Sequence, residues 1–278
     1  MVLTSWQRRA CSYVLKMHTL VRSKLTAMKL KLVLTVLLFQ SLLIAKAQRA
    51  EPDHEKVKGG ELTIQPITHA TLVLSYNKNN IFVDPTGGAD AFKGLDAPAM
   101  ILITDIHGDH LDTLTLKAVN TADAVLVVPQ AVADKLPATI SKQKIIVLKN
   151  GDETTQHSIS ITAIPMYNLP ETADAFHTKG RGNGYVLNIG GKNIYISGDT
   201  EDIPEMRALK NIDIAFVCMN LPYTMPVEQA AQGVLAFKPK VVYPYHYRGQ
   251  DVNTFKNLVN AGDKNIEVRL RDWYPAAK

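Results

Sequence analysis

The stretch Thr104-Asp105-Ile106-His107-Gly108-Asp109-His110-Leu111-Asp112 directly follows the apolar run 100–103. It places two histidines and at least two carboxylates within six residues, a high density of metal-binding side chains. The apolar run predicts a strand, and a strand end presents such side chains into a cleft. A helix-capping loop is the alternative, but it explains one aspartate and neither histidine. The stretch therefore predicts a metal site that contains His107, Asp109 and His110.

Two later stretches extend this prediction. Ser197-Gly198-Asp199-Thr200 ends a second β-like run, and Tyr243-Pro244-Tyr245-His246-Tyr247 ends a third. Taken alone, an aspartate after glycine is ordinary turn chemistry, and a histidine between tyrosines is typical of a packed core. Together with the first stretch, and in this order, they predict that Asp199 and His246 complete the metal site.

The pattern of short β-rich runs and turn signals predicts the architecture around these motifs. Strands are expected at 62–67, 71–76, 80–83, 100–103, 124–128, 144–148, 159–164, 185–189, 193–197, 212–217, 240–243 and 266–270. Helices are expected at 111–120, 131–136, 203–208, 226–237 and 251–260. In each half of the chain, hairpins come first and an alternation of strands and helices follows. This repeated order predicts two sheets with helices on their outer faces.

With these motifs the chain resembles the metallo-β-lactamase-fold hydrolases over residues 61–278. That family carries H-x-H-x-D-H, then a distant histidine, an aspartate in a Gly-Asp turn and a final histidine. The start Thr68-His69-Ala70-Thr71, with Asp84-Pro85 after the next strand, is similar to the L-ascorbate-6-phosphate lactonases and the N-acylphosphatidylethanolamine phospholipases. The resemblance implies an α+β fold, a single-domain four-layer αββα sandwich with metals at the mouth between the sheets.

The chain departs from the family pattern at two positions. Asp105 replaces the first histidine of the motif, and Asn168 aligns with the middle histidine. His177, in a nearby loop, is the alternative to Asn168. The implied ligands are Asp105, His107 and Asn168 in the first site, and Asp109, His110 and His246 in the second, with Asp199 bridging. The cofactor expected is one or two divalent ions, zinc foremost, with manganese favoured by the oxygen-rich first site.

The resemblance implies metal-assisted hydrolysis of an ester, lactone or phosphoester. A bound divalent ion lowers the pKa of water from 15.7 towards about 7. Asp109 is expected to hold metal and orient the water, and Asp105 to act as a base if it is not a ligand. We therefore treat Asp109 and Asp105 as the candidate catalytic residues.

The expected substrate is a small, anionic molecule. Lys179 and Arg181, in a glycine-rich loop, are candidates for binding its phosphate or carboxylate, and a solvated hairpin is the competing interpretation. His69, His177 and Tyr245 complete the predicted substrate-binding set. A histidine packed in the core is the alternative for His69.

The first 60 residues predict export. Residues 1–27 are expected to be an extension upstream of the true start, 28–47 a signal peptide, 48–60 a linker and 61–278 the folded domain. A basic start, an apolar run at 32–44 and Ala45-Lys46-Ala47 form the signal pattern. The thirteen residues of this run, which Thr35, Gln40 and Ser41 interrupt, span about 20 Å of helix, less than the roughly 30 Å hydrocarbon core. The sequence thus predicts a periplasmic or secreted protein without stable membrane association, and a retained anchor is the alternative.

The charge balance argues against a nucleic-acid partner. The formal net charge is +5, but residues 1–47 hold eight of the 31 Lys and Arg and none of the 26 Asp and Glu. The remaining chain is slightly acidic, so a basic binding surface is not expected. Cys11 falls in the predicted leader and Cys218 in an apolar run, so no disulfide is expected and Cys218 is predicted to be a core residue.

Three other functions remain open from the sequence. A non-catalytic metal-binding protein is suggested by Asp105 and Asn168. A di-iron oxidoreductase is suggested by iron-binding relatives of the fold, although no glutamate occurs in the first motif. A nucleic-acid-processing member of the fold is the third, and the charge balance disfavours it. The sequence leaves the oligomeric state open.

Overall fold

The computed structural model describes residues 49–138 and 144–274, so the predicted extension and signal peptide lie outside the described residues. Two seven-stranded sheets are found in this part of the chain. The first holds β1 (Asp53–Val57), β2 (Gly60–Thr68), β3 (Thr71–Tyr76), β4 (Asn79–Val83), β5 (Pro98–Leu102), β6 (Val125–Val128) and β7 (Lys144–Val147). The second holds β8 (Glu153–Gln156), β9 (Ile159–Met166), β10 (Gly182–Ile189), β11 (Lys192–Ile196), β12 (Ile214–Cys218), β13 (Val241–Tyr245) and β14 (Glu267–Val268).

Five α-helices lie between the strands of the described part. They are α1 (Thr113–Ala118), α2 (Gln130–Ala133), α3 (Pro204–Arg207), α4 (Val227–Phe237) and α5 (Val252–Gly262), with a 3-10 helix at Ala89–Phe92. Asp112 caps α1 by accepting hydrogen bonds from two backbone N–H groups of its first turn. None of the helices described here is long and apolar enough to cross a membrane.

The two sheets share one layout. In each, the strands follow chain order, the first three neighbouring pairs are antiparallel and the last three are parallel. Antiparallel pairs need only hairpins, whereas parallel pairs need a crossover. The predicted succession of hairpins and crossovers, repeated twice, is therefore confirmed.

Side-chain alternation along the strands produces the layers. In β3, Leu72 and Leu74 join the core between the sheets, whereas Val73 joins the cluster beneath α1 and α2. Across the second sheet, Tyr195 of β11 meets Phe237 of α4 with ring centroids 5.8 Å apart. Helices therefore cover the outer face of each sheet, and the predicted four-layer αββα sandwich is confirmed.

The linker predicted at 48–60 is wrong over Asp53–Val57, which forms β1 and pairs antiparallel with β2. Its polar side chains suggested a solvated segment, but they are paired with cations. Glu55 accepts hydrogen bonds from Lys192 at 2.5 Å and Arg269 at 2.6 Å. Asp53 accepts from the Tyr243 hydroxyl at 2.9 Å and from Arg271. Charge pairing with the second sheet thus holds a strand that has few apolar residues.

Replacing Glu55 by Gln is expected to lower the free energy of unfolding by about 1–2 kcal/mol at pH 7, since two charge-assisted hydrogen bonds are weakened. Burial raises the pKa of Glu55, but Lys192 and Arg269 outweigh it and hold the pKa below its ordinary 4.5. A carboxyl whose pKa is depressed on folding stabilises the protein above its unfolded pKa, and the contribution disappears as pH falls through the folded pKa.

Urea unfolding of Glu55→Gln beside wild type, at pH 7 and below the folded pKa of Glu55, measures this contribution. The difference between the two proteins should shrink at the lower pH. Glu61→Gln is the control, because Glu61 is exposed and its side chain contacts His54 on the surface. An equal loss at both pH values would show that Glu55 acts through packing rather than charge.

Candidate metal centre

The predicted metal-binding residues follow strands at one edge of both sheets. The stretch containing Asp105 and His110 follows β5, Asp199 follows β11, and His246 follows β13. His69 lies in the turn between β2 and β3. Parallel strands end at the same edge, so their following loops meet there. The fold therefore brings side chains from both sheets to one place.

The backbone at this edge is unusually tight. Gly198 has φ +61°, and a Cβ there would lie 2.6 Å from the Met166 sulfur. His69 and His246 also adopt positive φ, 51° and 48°, which non-glycine residues rarely do. The His246 N–H donates to the His69 carbonyl at 3.1 Å, and the two rings stack with centroids 3.7 Å apart. Strain of this kind is typical of functional sites.

Asp199 lies at the centre of the histidines. Its Oδ2 is 3.2 Å from both His110 Nε2 and His177 Nε2, and its Oδ1 is 3.2 Å from His246 Nε2. None of these approaches has hydrogen-bond geometry. Burial raises the pKa of Asp199, but the charges of His110 and His246 outweigh it and lower that pKa well below its usual range. Asp199 is therefore an anionic carboxylate shared by three imidazoles.

The unpaired atoms fit a metal ion. Buried polar atoms nearly always have hydrogen-bond partners, yet five here have none: His110 Nε2, His177 Nε2, Asp199 Oδ1, His246 Nδ1 and His246 Nε2. Three sets of donor atoms lie within 4.8 Å of one another: Asp105, His107 and His177; His110, Asp199 and His246; and His69, Asp109 and His246. Imidazole nitrogens with carboxylate oxygens are typical divalent-metal ligands. The residues present therefore fit the group that the fold implies.

Hydrogen bonds behind two of the histidines orient them. His110 Nδ1 donates to Asp84 Oδ2 at 2.9 Å, and His177 Nδ1 donates to Asn168 Oδ1 at 3.1 Å. These partners assign the proton to Nδ1 in each ring and leave Nε2 as a ligand. Burial disfavours a charge on His110, but Asp199 and Asp84 outweigh it and raise the pKa of His110 well above its usual value. A metal ion bound at Nε2 would therefore displace a proton from that nitrogen.

A hydrogen-bonded chain supports Asp109 from the opposite direction. The Arg248 N–H donates to Tyr274 Oη at 2.9 Å, the Tyr274 hydroxyl to His69 Nδ1 at 2.5 Å, and His69 Nε2 to Asp109 Oδ2 at 2.9 Å. Burial lowers the pKa of His69, which keeps the ring neutral and matches this assignment. Burial raises the pKa of Asp109, but the His246 ring 3.4 Å away and the hydrogen bond from His69 outweigh it and hold that pKa below its usual value. Asp109 is thus an oriented carboxylate at the centre.

His177, rather than Asn168, lies among the candidate ligands. The prediction that Asn168 is a ligand is wrong, because its Oδ1 accepts from His177 and its Nδ2 donates to the Tyr223 carbonyl at 2.8 Å. His177, predicted as the alternative ligand and as a substrate-binding residue, has its unpaired Nε2 3.2 Å from Asp199 Oδ2. His177 thus joins Asp105 and His107 in one set of donor atoms, and Asn168 positions its ring.

Asp105 is not placed to act as a base. It is fully buried, its two oxygens face the Arg181 guanidinium at 3.3 Å, and Oδ2 lies 2.7 Å from His107 Nδ1. Burial raises the pKa of Asp105, but His107, His110 and Arg181 outweigh it and leave the pKa at about 2. Arg181 is thus a partner of Asp105, not a free cation for substrate as predicted.

Lys179 and Tyr245 also lie outside the predicted substrate site. Lys179 pairs with Glu205 at 3.0 Å and Glu171 at 3.3 Å. Tyr245 is fully buried, and its hydroxyl accepts from the Gly198 N–H at 3.1 Å. Lys179 is satisfied by local acids, and Tyr245 supports the turn that carries Asp199. Neither reaches the cavity.

A cavity of about 400 Å³ opens above the donors. It is lined by His107, Asp109, Phe176, His177, Asp199, Asn220, Tyr223, His246 and Arg248. Phe176, Asn220, Tyr223 and Arg248 were not predicted to line the site, and neither were the supporting roles of Asp84 and Tyr274. Arg248 lies two residues after His246, and Asp84 directly follows β4, so the position of each in the sequence could have indicated a role at the site. Loop residues such as Tyr223 had none.

Comparison with known proteins agrees with this fold and centre. The profile of the family described as "Beta-lactamase superfamily domain" matches residues 79–247. The chain therefore belongs to that superfamily and is a metal-dependent hydrolase with the metallo-β-lactamase fold.

Individual relatives support the same class. A UPF0173 metal-dependent hydrolase of Thermococcus onnurineus is 32% identical over 216 residues, which span 73% of this chain and 93% of the relative. A crystal structure described as that of a candidate metal-dependent hydrolase from Parabacteroides distasonis is 42% identical, with a TM-score of 0.72 over 80% of this chain and 98% of the other. CmlA, a diiron β-hydroxylase from Streptomyces venezuelae, is 18% identical, with a TM-score of 0.59 over 78% of this chain and 53% of the other, and shares the fold alone.

Proposed function

We propose that this hydrolase is exported and cleaves an ester, lactone or phosphoester bond in a small anionic molecule. Its metal is zinc, with manganese as the alternative. The observation that carries the proposal is the set of buried donor atoms without partners on the floor of a cavity of about 400 Å³. Ligand cavities usually measure about 300–1,000 Å³, so this one suits a small molecule.

The cavity supports water as the nucleophile. Its nine lining residues include no serine, threonine, cysteine or lysine. Cys218, the free thiol of the described chain, is fully buried, and burial raises its pKa to about 12. A thiol with such a pKa is a poor nucleophile at neutral pH. Direct attack by water fits this site better than a covalent intermediate on the protein.

The chain's own residues position the reactants. When bound, a divalent ion lowers the pKa of coordinated water and polarises the oxygen of the scissile bond. Asp109 borders the cavity and has a partly exposed carboxylate, so it can accept a hydrogen bond from the attacking water. His69 and Tyr274 hold Asp109 in place. Burial of Asp199 and three histidines keeps bulk water away from the donors.

The donor set favours zinc. His177 replaces the oxygen donor expected from Asn168, so the first cluster contains two imidazoles rather than one. More nitrogen and less oxygen shifts preference from manganese towards zinc. The proposal of export rests on the signal pattern of residues 28–47. The proposed preference for a lactone or phosphoester rests on the His69 and Asp84 motifs, which resemble those of the lactonase-like subgroup.

Hydrolysis by the purified protein, after chelation and reloading with zinc or manganese, tests the reaction. We expect turnover of a lactone or a phosphoester, loss on chelation and better recovery with zinc. Peptide sequencing of the exported protein should find an N-terminus after Ala47. A metal-loaded protein inactive on lactone, ester, phosphomonoester and phosphodiester panels would instead be a metal-binding member without catalysis.

A further inference from the structure

Arg248 is the one lysine or arginine among the nine residues that line the cavity. Its side chain is exposed, and no carboxylate pairs with its guanidinium within the described ranges. Its backbone is fixed, because the Arg248 N–H donates to Tyr274 Oη. In contrast, Lys179 and Arg181 are both paired with carboxylates. Arg248 is therefore a positioned cation whose charge is available to a ligand.

An aromatic pair lines the same cavity. Phe176 and Tyr223 are 49% and 46% exposed, and their rings meet edge to face with centroids 5.0 Å apart. Arg181 donates to the Phe176 carbonyl at 2.6 Å, and Asn168 donates to the Tyr223 carbonyl at 2.8 Å. The residues that support Asp105 and His177 thus also fix the loops that carry the two rings.

Exposed apolar side chains are concentrated on the two loops that carry this aromatic pair. Among the described residues, seven large hydrophobic side chains are exposed, and four of them lie on the two loops of the aromatic pair: Leu169, Phe176, Leu221 and Tyr223. Apolar groups gathered beside a ligand site are typical of a surface that binds apolar ligand atoms. A purely hydrophilic substrate would leave this surface exposed to water.

We propose that the cavity recognises a two-part substrate. Arg248 binds a phosphate or carboxylate group, and the Phe176–Tyr223 pair binds an aryl or short acyl group of the same molecule. The metal centre lies in the same cavity, which places the bond to be cleaved within reach of both parts. This inference rests on the proposed hydrolytic function for its reaction, but the binding site it names does not depend on turnover.

Isothermal titration calorimetry of the zinc-loaded protein with phenylphosphonate and methylphosphonate tests the two parts separately. Wild type should bind phenylphosphonate about fivefold more tightly than methylphosphonate, because the ring adds an aromatic contact. Arg248→Met should weaken both ligands about tenfold or more, since a charge-assisted hydrogen bond is lost. Phe176→Ala should weaken phenylphosphonate alone. Arg248→Lys restores the charge and should regain part of the affinity.

Matched controls separate this site from general surface effects. Lys179→Met removes a nearby cation that already has acidic partners, and Leu114→Ala removes an exposed apolar side chain that is 74% accessible. Both should bind the phosphonates as wild type does. Metal content measured for each variant excludes loss of the centre as the cause.

The outcomes distinguish the two proposals. Equal affinity of wild type and Arg248→Met for both phosphonates, or no preference for the phenyl group, would overturn the two-part site even if the enzyme hydrolyses lactones or phosphoesters. Binding as expected, without turnover of any substrate, would overturn the proposed reaction and leave the two-part site standing.

Discussion

Asp199→Asn protein is expected to bind divalent metal more than about 100-fold more weakly than wild type, and to lose hydrolysis with it. Outer-shell changes already cost about 10–100-fold in metal affinity. Asp199 contacts the three imidazoles His110, His177 and His246 directly, each at 3.2 Å. An asparagine amide has one oxygen and no negative charge, so it offers one ligand atom where the Asp199 carboxylate offers two.

Elemental analysis and competition with a chelator measure this loss. Asp123→Asn is the matched control, because Asp123 is an exposed carboxylate next to β6 and should leave metal content unchanged. Circular dichroism establishes that each variant is folded. Wild-type metal content in folded Asp199→Asn would mean that the histidines and Asp109 suffice and that Asp199 does not hold the ion.

Asp84→Ala is expected to lower the free energy of unfolding by about 3–5 kcal/mol, the cost of removing one partner from a buried ion pair. The Asp84 carboxylate is fully buried and accepts three hydrogen bonds: from the Thr104 N–H and the Thr104 hydroxyl, both at 2.7 Å, and from His110 Nδ1 at 2.9 Å. Alanine would leave the Thr104 N–H without its acceptor, and would leave the Thr104 hydroxyl and His110 Nδ1, which are 3.0 Å apart, only each other as partners. His110 would also lose its fixed orientation, which should weaken metal binding by about 10–100-fold.

Asp84→Asn separates the two effects. It keeps the shape and one acceptor oxygen, so it should be more stable than the alanine variant while metal affinity still falls. Denaturant unfolding with chelator reports on the fold alone, and the same experiment with zinc adds the contribution of the metal. An Asp84→Ala protein as stable as wild type in chelator would show that water replaces the carboxylate.

The ends of strands were predictable from the sequence because local patterns define them. Asp109, His110, Asp199 and His246 each stand within a few residues of an apolar run. Their convergence then follows from parallel strand pairing, which delivers strand ends to one edge. The repeated order of hairpins and crossovers was also predictable, because local sequence patterns define where strands and turns lie.

The choice between Asn168 and its alternative His177 as a ligand was not predictable from the local sequence pattern. Both residues lie in the connection between β9 and β10, and spacing does not say which side chain reaches Asp199. The choice depends on hydrogen bonds made after folding, where Asn168 donates to the Tyr223 carbonyl and turns its oxygen to His177. Tertiary contacts of this kind have no signal in one sequence.

The predictions for Glu55, in the expected linker, and for Arg181, as a free cation, were wrong because the partners of both residues are distant in sequence. Glu55 meets Arg269 across 214 positions, and Arg181 meets Asp105 across 76. A polar strand whose charges pair with distant residues has the same composition as a solvated linker, so composition does not distinguish the two. The prediction of a free cation at Arg181 was wrong for this reason. Lys179 pairs with the nearer acids Glu171 and Glu205, which the prediction overlooked, whereas Arg248 has no carboxylate partner among the described residues.

The metal-binding residues are divided between the two sheets, and this affects when the protein can bind its metal during synthesis and folding. Asp109 and His110 follow strands of the first sheet, whereas Asp199 and His246 follow strands of the second. No ion can therefore be held by the full donor set until synthesis has passed His246 and the second sheet has formed. Metal binding by the full donor set is therefore a late step in folding. An ion held by residues of both sheets links them, and its binding free energy adds to the stability of the folded protein.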